Sequence, residues 1–122
     1  MSLDKNPRLE SIEKKVKWTS TKADLTMNGT EQTVDEIAVG ATWSGQIFLD
    51  NMEAGDTIVI RDYFKKEAGT FKLYSSVTYS DVQTEPVVNL TANICKYGSK
   101  VTIEQTAGTY RVVEVHKHLR LT

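Results

Sequence analysis

"MEAGDTIVIRDYFKK", residues 52–66, contains both a turn and the alternation that is typical of a β-strand. Gly55 can adopt the positive φ of a tight turn, and Asp56 can hydrogen-bond to nearby backbone amides. Ile58 and Ile60 then fall on one face of the strand, while polar side chains such as Arg61 alternate on the other. The stretch therefore predicts a turn that starts a strand, with Asp56 at a corner of a sheet rather than in an active site.

Asp62 breaks this alternation, because it has the parity of the two core-facing isoleucines. An unpaired carboxylate is costly to bury. Three explanations stay open: the strand leaves the core before Asp62, a cation such as Arg61, Lys65 or Arg111 neutralises it, or this face meets another subunit. Asp62 is therefore a candidate interface or ligand-binding residue.

Segments rich in threonine, valine and isoleucine follow one another outside this stretch, separated by glycine-containing turns. Short strands without helices between them indicate an antiparallel sandwich or barrel. We predict an all-β fold, an antiparallel and jelly-roll-like β-sandwich of about eight strands. The segments with the clearest strand pattern are Gln32–Ala38, Gly45–Asp50, Thr57–Lys65, Phe71–Tyr79, Pro86–Leu90, Lys100–Gln105 and Tyr110–Leu121.

Residues 7–17 carry the one helical pattern that the sequence suggests. Pro7 suits the first turn of a helix, and apolar residues follow it at helical spacing. The segment is short and highly charged, so it needs a surface on which to dock. We predict a short helical or irregular N-terminal extension, residues 1–22, followed by a β-sandwich domain, residues 23–122.

The length, charge and composition of the chain limit the classes of partner that it can have. The chain has 122 residues, a length typical of one domain, and 15 basic against 16 acidic residues give a formal net charge of -1. This balance argues against nucleic acid as a partner. No apolar run approaches the length of a membrane span, and the polar start "MSLDKNPRLE" is not typical of a secretory signal. Cys95 is the one cysteine, so we expect no intrachain disulfide and a small core side chain.

The last predicted strand carries both histidines of the sequence. Val113 and Val115 have the core parity, whereas Glu114, His116 and His118 share the opposite face. A His-x-His pair can bind zinc when a third ligand approaches. No other metal-binding motif accompanies the pair, so we favour exposed histidines and predict neither a metal nor a cofactor. His116 and His118 remain candidate ligand or interface residues.

Other patterns do not predict catalysis. Ser44 lacks the Gly-x that precedes the serine of a nucleophile elbow, and the acidic loop around Asp50 and Asp56 lacks the spacing of a helix–loop–helix calcium site. We therefore predict no catalytic residue and no enzyme activity. Trp43 lies between Gly40 and Gly45 and is the best candidate for a surface platform that stacks on a sugar.

Three segments, "NGTEQTVDEI" (28–37), "IFLDNMEAGDTIVIRDYFKK" (47–66) and "KVTIEQTAGTYRVV" (100–113), occur in this order. Together they resemble small, mostly uncharacterised proteins encoded among the tail and capsid structural genes of tailed phages and related viruses. The resemblance covers residues 24–115 and carries no active site. It implies a compact β-sandwich that serves as a virion component or accessory.

From the residues and the resemblance together we expect a noncatalytic, virion-associated structural protein: a capsid decoration, minor capsid or tail component. Such a protein would form a homo-oligomer, bind other virion structural proteins, and reside in the virion or, before assembly, in the host cytoplasm. No membrane or nucleic-acid partner is expected. Two alternatives remain: a carbohydrate-binding β-sandwich module that uses Trp43, and a small metal-dependent hydrolase built around His116 and His118.

Overall fold

A computed structural model describes residues 18–37, 41–67, 69–90 and 96–121. Eight strands lie within these ranges, and every strand pairing is antiparallel. The strands are β1 (Trp18–Thr26), β2 (Gln32–Ile37), β3 (Ala41–Phe48), β4 (Thr57–Glu67), β5 (Thr70–Ser80), β6 (Val87–Leu90), β7 (Ser99–Ala107) and β8 (Val112–Leu121). One sheet has the order β1-β8-β3-β6 and the other β2-β7-β4-β5. This order is that of a jelly roll, and it confirms the predicted sandwich.

All seven predicted strands overlap observed ones, with small differences in their bounds. The largest difference is in β3, which begins at Ala41 rather than at Gly45. The β4 strand begins at Thr57, as the turn at Gly55 predicts, and Gly55 has a φ of 91°. The glycine turns and the period-two alternation therefore define most of the strands from the sequence alone.

The strand β1 was not predicted from the sequence. Within the described ranges it pairs with β8 alone, and most of its side chains are exposed. An edge strand of this kind needs few apolar residues, and only Leu25 packs against the core. Residue 23, at which the sandwich domain is predicted to start, lies inside β1, and the division into two segments stays a prediction. The predicted helix at residues 7–17 lies outside the described residues.

The core lies between the two sheets and is made by alternate side chains of the central strands. Ile47 of β3, Ile103 of β7, and Val113 and Val115 of β8 are completely buried. Burial of each such side chain contributes about 1.5–3 kcal/mol to stability. The predicted parity of β8 is therefore confirmed at Val113 and Val115.

The core parity of β8 is not kept to the end of the strand. Lys117 takes a core-facing position but its Nζ donates a hydrogen bond to the Val34 carbonyl oxygen, 3.2 Å away. Leu119, with the same parity, is 37 % exposed. The sandwich thus opens towards this end of β8, where a lysine can hold its charged group near a backbone carbonyl.

The two open sheets leave four edge strands, β1 and β6 in one sheet and β2 and β5 in the other. The β5 strand pairs with β4 in a regular register from Thr57↔Ser80 to Asp62↔Ser75, and the register shifts after Asp62. None of the described ranges contains a helix of the length and apolarity that crossing a lipid bilayer requires.

Candidate functional site

Asp56 lies at a buried corner that joins the loop before β4 to the β7–β8 hairpin. Its side chain is 1 % exposed. Oδ2 accepts hydrogen bonds from the Glu53 backbone N–H (2.9 Å) and from Arg111 Nε (2.7 Å). Oδ1 accepts one from the Thr109 backbone N–H (3.1 Å). We call Asp56, Glu53, Thr109 and Arg111 the Asp56 corner.

The electrostatics of the Asp56 corner favour the ionised form of its carboxyl. The hydrogen bond from Arg111 lowers the pKa of Asp56 most, and the backbone N–H groups of Glu53 and Thr109 lower it further, against the opposing effect of burial. The hydrogen bond to Asp56 likewise raises the pKa of Arg111. A buried and ionised carboxylate that already accepts three hydrogen bonds from the protein is not available to a substrate and has no proton to donate. Asp56 is therefore structural, and the prediction of a sheet corner is confirmed.

The end of β5 is attached to the same corner by two hydrogen bonds. The Asp81 N–H donates to the Asp56 carbonyl oxygen (2.9 Å), and the Gly55 N–H donates to Asp81 Oδ1 (2.7 Å). Asp81 has a φ of 65°, a left-handed conformation that aspartate tolerates better than most residues. The corner therefore fixes the start of β4, the end of β5 and the β7–β8 hairpin together.

Asp62 is half-buried, beyond Ile60 along β4. It lies opposite Val101 of β7 and Ser75 of β5, and burial raises the pKa of its carboxyl. Two of the cations suggested as its partners have other acceptors. Arg61 pairs with Glu104 at 2.9 Å, and Arg111 pairs with Asp56 at 2.7 Å. An interface role for Asp62 stays a prediction.

Trp43 is 2 % exposed and packs in the core, so the prediction of a surface platform for sugars is wrong. A glycine close to Trp43 in the sequence suggested an exposed loop, but Gly45 lies within β3. A Cβ at Gly45 would lie 3.1 Å from the Trp43 ring and 2.5 Å from the His116 carbonyl oxygen. Gly45 thus makes room for a buried indole inside β3 and does not mark an exposed loop. The carbohydrate-binding alternative loses the residue on which it rested.

His116 and His118 project from the outer face of β8, as their parity predicts. The His118 ring nitrogens lie 2.8 Å from Ser20 Oγ of β1 and 3.0 Å from Gln46 Oε1 of β3. His116 Nε2 lies 2.6 Å from Glu114 Oε2, and this hydrogen bond is the main cause of a lowered pKa of Glu114. The histidines therefore connect three neighbouring strands across the sheet.

The two imidazoles also line an open depression of about 300 Å³, together with Ser20, Thr21 and Lys22. Lys22 Nζ is 3.4 Å from Glu114 Oε1. In the described ranges no three side chains of the His, Cys, Asp or Glu type are placed so that they could hold a metal ion. Cys95 lies outside these ranges. The metal-dependent hydrolase alternative thus has no candidate centre in the part of the chain that the structure describes.

A polar network on the outer face of the other sheet was missed by the sequence analysis. The Tyr63 and Thr102 hydroxyls both donate to Glu31 Oε2, at 2.6 and 2.5 Å. Arg61 bridges Glu104 (2.9 Å) and Glu31 (3.6 Å). The hydrogen bond from Thr102 is the largest cause of the lowered pKa of Glu31. Strand alternation predicts one shared face for Arg61, Tyr63, Thr102 and Glu104. Nothing in the sequence indicates that Glu31, in the turn before β2, contacts them.

Comparison with known proteins gives a likeness of fold. No family model matches the chain, and no curated protein matches it. A subunit of the disulfide-linked pili that form Bacillus endospore appendages superimposes with a TM-score of 0.56 at 16 % identity, over 87 % of this chain and 88 % of that one. PirA superimposes with a TM-score of 0.45 at 15 % identity, over 84 % of this chain and 93 % of that one. At such identities the pilus subunit shows a shared fold, and the PirA superposition is too poor to use.

Proposed function

We propose that this protein is a noncatalytic structural subunit that assembles with copies of itself. One observation carries the proposal: five large exposed apolar side chains lie between positions 73 and 87, on the open edge strand β5, in the segment after it and at the start of β6. They are Leu73 (57 % exposed), Tyr74 (67 %) and Val77 (45 %) of β5, Val82 (60 %) after it, and Val87 (49 %) of β6. Large exposed apolar groups beside a free strand edge are typical of a surface that pairs with another chain.

The chemistry of the polar clusters supports the same function. The Asp56 corner and the cross-strand bonds of His118 use their polar atoms to join strands. The described side chains therefore contribute to rigidity, which an assembling subunit needs, and not to a cleft with convergent reactive groups.

The shared fold with a pilus subunit supports assembly but suggests a different linkage. Those pili are disulfide-linked. The present sequence contains one cysteine, and one thiol can form only one disulfide. These 122 residues therefore cannot connect subunits in series through disulfides, and we propose that they associate through noncovalent strand and side-chain contacts.

The proposed assembly is a virion: a capsid decoration, minor capsid or tail component with other virion structural proteins as partners. The sequence resemblance over residues 24–115 supports this choice. Its location would be the virion, or the host cytoplasm before assembly. A subunit of a surface appendage is the second candidate, and the fold shared with the pilus subunit favours it. Electron microscopy of the purified assembly separates a capsid decoration protein from a pilus subunit, because the first forms closed oligomers and the second forms filaments.

Substitution of Val77 by lysine tests the proposal. We expect the unmodified protein to self-associate, and Val77→Lys to weaken its dissociation constant at least tenfold, about 1.4 kcal/mol. A lysine on an edge strand opposes pairing with another edge. Native mass measured by light scattering over a range of concentrations is the readout, with circular dichroism as the check on folding.

Val112→Lys is the matched control. Val112 is 51 % exposed, much like Val77, but it pairs with Thr26 of β1 and its carbonyl oxygen accepts a hydrogen bond from Asn51 Nδ2. We expect this variant to associate like the unmodified protein. A strictly monomeric parent protein at high concentration would overturn the proposed function.

A further inference from the structure

The four edge strands differ in their capacity to pair with another chain. The β6 strand has only four residues. The β2 edge carries Asp35 and Glu36, and its register shifts between Thr33 and Asp35. The β1 edge carries a lysine and an aspartate near its middle. Short length, charge and bulges are the features by which natural sheets block edge pairing, so these three edges are protected.

The β5 edge lacks this protection in its second half. Ser75–Ser80 reads SSVTYS, contains no charged residue, and keeps a regular register with β4. Val77 and Tyr79 of this segment have the inward parity, and Ser76, Thr78 and Ser80 have the outward parity. The segment is therefore a straight, neutral and β-prone edge in which apolar and polar side chains alternate.

The lack of charge in Ser75–Ser80 indicates which chain can pair with this edge. When an edge strand pairs with its own copy about a two-fold axis, a charged residue at the axis meets the same charge on the copy. A charged residue elsewhere in the segment meets one particular residue of the same segment. Ser75–Ser80 has no charge to repel, so a second copy can pair with it directly, whereas a charged partner segment would find no complement there. A second copy of this chain is thus the occupant that fits.

Symmetry and side-chain pairing then indicate the register between the two copies of β5. In an antiparallel pair, directly opposite residues lie on the same face of the sheet. A two-fold axis perpendicular to the sheet must therefore pass between the two copies of one residue, so that each copy of that residue lies opposite the other. An axis at Thr78 places Val77 opposite Tyr79 of the second copy twice, and β-branched to aromatic pairs stabilise antiparallel strands. An axis at Val77 would instead place Tyr79 opposite Ser75 and draw Tyr74, beyond the regular stretch, into the pairing.

We infer that two copies of the chain pair antiparallel through Ser76–Ser80 of β5, with the two-fold axis at Thr78, to form a continuous eight-stranded sheet. This inference rests on the proposed function and names the contact through which it begins. The same axis brings Tyr74, four positions before Thr78, towards Val82 of the second copy, four positions after it. Both side chains are exposed in the single chain, so their contact would extend the interface beyond the strand pair.

A cysteine at the axis tests the register. Thr78→Cys is made together with Cys95→Ser, so that it carries the one thiol of the protein. In the inferred pairing the two introduced Cβ atoms lie about 4.5–5.5 Å apart, a separation that a modest shift closes into a disulfide. Ser76→Cys in the same background is the matched control, because Ser76 is also exposed and faces outward on β5. Its two copies would be roughly 13 Å apart.

After mild oxidation, we expect roughly tenfold more cross-linked dimer from Thr78→Cys than from Ser76→Cys. Equal cross-linking of the two variants overturns the inferred pairing. The native mass of the unoxidised proteins tells which proposal has failed. Oligomers without selective cross-linking leave self-assembly in place and reject β5 pairing at Thr78, whereas monomers without cross-linking reject both.

Discussion

Replacing Asp56 by asparagine is expected to lower the melting temperature by roughly 10 °C. All three groups that bond to this side chain, the N–H groups of Glu53 and Thr109 and Arg111 Nε, are donors. A carboxylate accepts from all of them, but an amide must turn its own NH₂ group towards at least one. The substitution also leaves the Arg111 guanidinium without its counter-charge. Thermal unfolding followed by circular dichroism measures the effect.

Asp50→Asn is the control for this substitution. Asp50 lies in the same loop and is exposed, so its replacement should leave the melting temperature within about 2 °C of the parent. A similar loss for both variants would mean that removal of a negative charge from the loop, and not the Asp56 corner, causes the effect.

The lowered pKa of Asp56 gives the same substitution a pH signature. A carboxyl whose folded pKa is depressed adds stability above its unfolded pKa, about 3.9, and loses it as the pH falls through the folded value. Urea midpoints of the parent protein and of Asp56→Asn should therefore differ widely at pH 7 and converge below about pH 4. Other carboxylates with lowered pKa, such as Glu31 and Glu114, act on both proteins alike, so the difference between the midpoints isolates Asp56.

The sequence was sufficient for the sandwich because its strands alternate with period two and its turns contain glycine. Thr57 as the start of β4 and the parity of Val113 and Val115 follow from local pattern alone. The outer-face position of His116 and His118 follows from the same rule. These features depend only on neighbours along the chain, which is why they could be predicted.

Features that depend on distant residues could not be predicted in this way. The partner of Arg111 is Asp56, 55 positions away, and only the folded hairpin brings them together. β1 was missed because an exposed edge strand needs no apolar alternation. Trp43 was misassigned because a glycine that makes room for a buried ring resembles a glycine that marks a loop.

Replacing Gly108 by alanine is the second substitution with a large expected effect, a loss of about 2–5 kcal/mol in the free energy of unfolding. Gly108 has a φ of 89°, a left-handed conformation that costs most residues about 1–2 kcal/mol. Its Cβ would also meet Asp56 Oδ1 and lie 2.7 Å from the Asp56 Cα. The backbone at the Asp56 corner would have to move, which weakens the bonds that converge there.

Gly69→Ala separates the two causes. Gly69 has a φ of 88°, but a Cβ there would meet no atom within 4 Å. Urea unfolding at pH 7 should therefore show only the conformational cost of about 1–2 kcal/mol for Gly69→Ala, and the full loss for Gly108→Ala. In the Asp56→Asn background the loss from Gly108→Ala should shrink, because the contacts that it disrupts are already weakened. Equal losses at the two glycines would show that the close approach to Asp56 does not govern the stability of this corner.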